Sequence, residues 1–237
     1  MKNLNKETAF EAVNQILALG ESTIKNHPIV LQILSGKLNK ETLNVILLCF
    51  YADGLWWVSA LQYMHKHTRN PRFKQALLDN LNCETGAGGG TPHMLLLNNF
   101  FESIMLSVDM KNPIYAGAIK RAQHENKILH RSTEQQRAGF MLATEHLFPT
   151  LLACVRPAII EHYPDCDMDY IDEHIEVDAD EHSIWMKESV IEILNSNIGL
   201  ADEILQGMKA AEEGAFYPLE TALSFTKNRT VLYESFH

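Results

Sequence analysis

Apolar residues recur at three- and four-residue spacing along almost the whole chain, and alternating β-branched runs are few. No Asn-Gly hairpin signal appears, so the pattern predicts an all-α protein. A first helix is expected over about 6–26, and a short one after Pro28. A long helix over about 39–67 opens at Asn39 or Lys40 ahead of Glu41 and closes before Asn70-Pro71. Further helices are expected over about 71–84, 92–107, 113–129 and 132–163, the last interrupted at Pro149. One helix carrying His174 should run to about 195, and a final one should cover about 198–225. No repeat or low-complexity linker breaks this series, which predicts a single domain over 1–237, a helical bundle of about seven main helices.

Composition narrows the partners more than the fold. The 237 residues hold 46% hydrophobic and 21% charged positions, enough for one sizeable core. Thirty acidic against twenty basic residues give a net charge of −10, which argues against a broad nucleic-acid or anionic-membrane surface. A small molecule is the expected partner. The polar start Met1-Lys2-Asn3-Leu4-Asn5-Lys6-Glu7 has no apolar stretch behind it, and no run reaches the roughly 18 apolar residues of a spanning helix. The expected location is cytoplasmic. Cys49, Cys83, Cys154 and Cys166 are widely spaced, so neither a zinc knuckle nor a disulfide framework is indicated.

Three local features carry chemistry. Gly86-Ala87-Gly88-Gly89-Gly90 cannot stay helical cheaply, at about 1 kcal/mol per glycine relative to alanine. With no strand before it and no Lys-Ser/Thr after it, this is not a phosphate loop. It reads instead as a hinge, with Thr91 as N-cap and Pro92 at the first helical position of the next helix, bringing Glu84 near His93. Glu145 stands in an apolar context four residues before Pro149, and a glutamate in such a place is usually paired or metal-bound. His174, Asp178 and His182 would share one helix face, each about 40° and roughly 6 Å from the one before. Two imidazoles and a carboxylate suit Zn or non-haem Fe, although an acidic solvated face has the same spelling. Tyr170, standing where the sharp turn needs glycine, argues against a calcium loop from Asp165.

Together Glu84, His93, Glu145, His174, Asp178 and His182 supply three carboxylates and three imidazoles from four helices. This arrangement resembles the haem-oxygenase-like diiron oxidases and oxygenases, which share their fold with haem oxygenase, TenA and PqqC, and the likeness spans roughly residues 40–200. The resemblance implies two irons cycling between Fe(II) and Fe(III) on those six residues, O2 as co-substrate, and Glu84, Glu145 and Asp178 as the carboxylates closest to the chemistry. Many members have two residues between the aspartate and the last histidine, where this chain has Ala179, Asp180 and Glu181. Glu181 therefore competes with His182 for the sixth position. The chain also resembles a small cyanobacterial subgroup of nitrile synthases. That likeness implies an amino-acid substrate, a brominated L-tryptophan converted to an indole-3-carbonitrile, with N-oxygenation, desaturation or oxidative C–C cleavage as other outcomes within the superfamily. Members of this fold often form homodimers, and the sequence leaves the oligomeric state open. Two readings from other classes stand beside it: a metal-free TenA-like enzyme using Cys154 as nucleophile, and a helical binding protein without catalysis.

Overall fold

The protein is described by a computed structural model covering residues 6–176 and 182–234, so Asp178 and Glu181 lie outside the described residues. Among the described residues there are ten α-helices and no strand. They are α1 (Lys6–Lys25), α2 (Pro28–Leu34), α3 (Lys40–His67), α4 (Pro71–Thr85), α5 (His93–Ser103), α6 (Pro113–Arg131), α7 (Glu134–His162), α8 (Asp169–Glu173), α9 (Ser183–Ser196) and α10 (Ala201–Glu234). Without α2 and α8, which are seven and five residues long and too short for a full apolar stripe, eight main helices remain, one more than the seven expected.

Start signals written in the sequence set most of these helices. Asn39 accepts from Thr42 N, Asn70 from Phe73 N and Asn112 from Ile114 N, each filling an orphan donor of a first turn. Thr133 and Gln136 form a reciprocal capping box at the head of α7. At α5 the expectation is off by one residue. Pro92 itself is the cap and His93 the first helical residue, since extended backbone at Pro92 (ψ 130°) keeps it outside the helix. That helix also ends earlier than 107, where Met105 turns to φ 54°.

Long α7 lies at the centre, with α10 packed along it and α1, α2, α3 and α9 around it. Helix α3 packs against α6, α10 and α4, while α5 and α8 pack on each other beside α3 and α4. Two glycines allow the closest approach. A Cβ on Gly207 would sit 1.9 Å from the Gln136 carbonyl oxygen, and one on Gly139 would sit 2.0 Å from that of Ile204. Backbone therefore meets backbone where α7 crosses α10. Helices α3 and α7 are long and apolar enough, by length and composition, to cross a membrane, but half and two-thirds of their apolar windows are buried in the bundle. Leu43, Ile46, Leu47, Leu61 and Met64 of α3 are wholly enclosed, each contributing about 1.5–3 kcal/mol.

Pro149 does not interrupt α7, which runs through both it and Pro157. The missing N–H leaves the Glu145 carbonyl without its usual donor, yet Leu147, Leu151, Leu152 and Val155 are all buried around the site. Tertiary packing outweighs the local cost there. The single helix expected from His174 to about 195 crosses residues outside the described ones; on either side of them α8 ends at Glu173, residues 174–176 and 182 take the wider π form, and α9 begins at Ser183. Such widened turns frequently accompany functional sites. The final helix is preceded by a 3₁₀ turn over Ile198–Leu200 and extends beyond the expected 225 to Glu234.

Candidate metal centre

Gly86 takes a left-handed conformation (φ 71°) and donates its N–H to the Cys83 carbonyl, which ends α4 just after Glu84. Alanine at this place would carry a Cβ 2.7 Å from the Gly90 carbonyl oxygen, so only glycine fits the tight return. The chain then doubles back into α5 and sets His93 Nδ1 3.3 Å from Glu84 Oε2. From the far side, the π turn after α8 delivers His174, whose ring centre lies 4.5 Å from that of His93. One donor atom from each of Glu84, His93 and His174 lies within 4.8 Å of the others, a spacing that one metal ion can span. All three side chains are buried.

His174 is held in one orientation by its neighbours. Its Nδ1 lies 2.7 Å from the Tyr170 carbonyl, which can only accept, so Nδ1 carries the proton and Nε2 keeps its lone pair. Burial, followed by the nearby His93 and His182 rings, pushes its pKa down to about 3. The imidazole is therefore neutral at pH 7, the form that ligates metal. Phe148 stands edge-on to it at 5.6 Å and Tyr170 lies at 4.3 Å.

A second group lies on α7 and at the start of α9. His182 Nδ1 is 3.5 Å from Glu145 Oε2, and the two side chains are 1% and 5% exposed. The Glu84–His93 distance matches two ligand atoms sharing one ion, since bonds of about 2.1 Å at roughly right angles put the atoms about 3 Å apart. Asn80, one turn before Glu84 on α4, donates to Glu145 Oε1 at 2.9 Å and lies 3.2 Å from His182 Nδ1. Among the described residues no lysine or arginine pairs with Glu84 or Glu145; each has a histidine instead. Buried carboxylates placed this way call for a cation, and carboxylate–imidazole sets suit iron.

A cavity with about 110 Å³ open to the centres of water molecules adjoins this group, and Glu84, His93, Glu145 and His174 form part of its wall. Both Trp56 and Trp57 line it, their rings 5.9 Å apart and nearly perpendicular, although adjacent helical positions would be expected to send only one inward. Phe50, Phe140 and Phe148 complete an aromatic lining. The wall also carries Asp53, Arg121 and Glu125.

Of the six residues singled out from the sequence, the fold gathers Glu84, His93 and His174 into one group and Glu145 with His182 into another; Asp178 is outside the described residues. Asn80 was missed, though its place four residues before Glu84 puts it on the same stripe. Asp53 was missed as well, and its signal is plain: between Glu41 and Lys66 it is the one charged residue of an otherwise apolar and polar-neutral helix. His146 faces away from the metal residues, as the 100° helical step implies, and pairs with Glu21 Oε1 at 2.6 Å.

A family model described as iron-containing redox enzyme matches residues 46–214. Among solved structures, a TenA homolog from Pseudomonas syringae pv. tomato str. DC3000 is similar with a TM-score of 0.71 and 11% identity, over 94% of this chain and 97% of that one. At that identity the likeness speaks for the fold. No curated protein matches the sequence.

Proposed function

Because the chain belongs to the family of iron-containing redox enzymes, we propose that it holds two irons on Glu84, His93, Glu145, His174, Asp178 and His182 and uses O2 to oxidise an amino-acid-type small molecule. The observation that carries this reading is the pair of buried carboxylate–imidazole groups, Glu84–His93–His174 and Glu145–His182, beside an aromatic-lined cavity. Iron bound there supplies the electrons with which O2 is activated. The chain's own residues do the rest. The Tyr170 carbonyl aims His174, Asn80 aims Glu145, and Phe148, Trp56, Trp57 and Leu97 give the cavity an apolar wall.

The finer reading is conversion of an L-tryptophan, brominated or not, to an indole-3-carbonitrile. Its support is the resemblance to nitrile synthases and the aromatic lining around Trp56 and Trp57. A cysteine nucleophile of the TenA kind has less behind it. Cys154 is not among the cavity-lining residues, and burial raises its thiol pKa.

The test is anaerobic Fe(II) loading of the full chain, metal analysis, and O2 admission with a panel of amino acids that includes tryptophan and its brominated forms. About two irons per chain and an oxidised product by mass spectrometry are expected. Turnover that survives exhaustive chelation would overturn the proposal.

A further inference from the structure

Away from the histidines, α3 and α6 place a second charged group on the same cavity wall. Arg121 and Glu125, one turn apart on α6, form an ion pair, and Arg121 Nη1 lies 3.4 Å from Asp53 Oδ1 of α3. The guanidinium also lies 4.5 Å over the ring of Tyr217 from α10. Gly214 of α10 leaves the space above the pair open. A Cβ there would come within 3.0 Å of Glu125 Oε1 and 3.1 Å of Arg121 Nη2.

Charge accounting shows what is missing. Among the described residues of the wall, four carboxylates (Asp53, Glu84, Glu125, Glu145) face one guanidinium and no lysine. Metal would answer Glu84 and Glu145. Asp53 and Glu125 then oppose Arg121 alone, leaving one negative charge uncompensated beside Trp56, Trp57 and Phe140. Arg121 and Glu125 are 17% and 15% exposed and Asp53 32%, so this charge is partly desolvated, and a cation that enters the cavity to pair with it is stabilised there. Among the described residues of the wall nothing else carries a fixed positive charge, so a ligand ammonium is the group that would pair with the acids, while a ligand carboxylate would add a further anion for Arg121 to meet.

We propose that Asp53, Arg121 and Glu125 form a head-group clamp for a ligand bearing a protonated primary amine, with Asp53 and Glu125 taking the ammonium and Arg121 taking an adjacent carboxylate where the ligand has one. The guanidinium has five donors in a planar fork, and those not engaged by the two acids are available to a carboxylate. Flanking tryptophan faces add attraction for the cation and a surface for an aromatic body. The clamp deepens the amino-acid reading of the proposed function and rests on it for the fate of the bound amine, while capture of the amine is independent of iron.

Anaerobic calorimetric titration of the full chain, with and without Fe(II), tests this using L-tryptophan, tryptamine and indole-3-propionate. The two amines are expected to bind at least about tenfold more tightly than indole-3-propionate, and Asp53→Asn is expected to remove that preference while leaving iron content unchanged. Tighter binding of L-tryptophan than of tryptamine identifies an amino acid as the ligand, and the reverse identifies a simple amine. Indole-3-propionate binding as tightly as tryptamine, or neither amine binding in either state, overturns the clamp. The wild-type panel decides the matter even if Asp53→Asn fails to fold. A failure here leaves the iron stoichiometry intact, and a failure of the iron reading leaves this preference standing.

Discussion

The Asn80 side-chain amide donates to Glu145 Oε1 at 2.9 Å from inside the bundle, where Asn80 is only 1% exposed. The same nitrogen lies 3.2 Å from His182 Nδ1, so one amide on α4 orders both members of the pair on α7 and α9. Asn80→Ala should weaken Fe(II) binding at the Glu145–His182 pair by about 10–100-fold, the usual cost of losing a group that orients a ligand. An anaerobic Fe(II) titration should then show one equivalent bound as in the wild type and the second shifted. Two equivalents bound with unchanged affinity would count against this role.

His182 and Glu181 compete for the last ligand position by sequence; His182 is 1% exposed and 3.5 Å from Glu145 Oε2, and Glu181 lies outside the described residues. His182→Ala is expected to drop the iron content from about two to about one per chain, whereas Glu181→Ala should leave both. Metal analysis of the two variants after identical loading decides between them.

Asp53 has a pKa raised to about 6, mainly by burial, against the favourable effects of Arg121 and of the Trp56 indole N–H. For a carboxyl whose folded pKa is raised, the folded state holds its proton longer than the unfolded chain. Stability from this group is full below about pH 4 and is lost as pH rises to about 6, by at most about 1.4 kcal/mol per pH unit. Urea denaturation of the metal-free protein should therefore show wild type losing stability relative to Asp53→Asn across that window, with no further change above it. A constant difference from pH 4 to 7 would refute the assignment.

Gly207→Ala should destabilise the protein by about 3 kcal/mol or more, because the new methyl would meet the Gln136 carbonyl at 1.9 Å and the helices must part. Gly88→Ala, whose Cβ would meet nothing within 4 Å, should stay within about 0.5 kcal/mol of wild type. Chemical denaturation of the two variants side by side provides the comparison.

Much of the fold was legible because its signals are local. The 3.6-residue apolar period, the caps at Asn39, Asn70 and Thr133, and the glycine return after Glu84 each act within a few residues of the element they shape. The pairing of Glu84 with His93 could be read for the same reason, since only a tight turn separates them. Pro149 misled because its local penalty is outweighed by long-range packing of α7, which no short window contains.

Residue types and spacing alone thus determined an all-α bundle and a short list of candidate metal ligands. Tertiary structure decided which of them meet: His174 with Glu84 and His93, His182 with Glu145, and Asn80 between the last two. It also decided that Asp53 of α3 and Arg121 of α6 share one cavity with them. Such meetings depend on how helices cross, and here that crossing is set by the absence of side chains at Gly139 and Gly207, where α7 and α10 approach backbone to backbone.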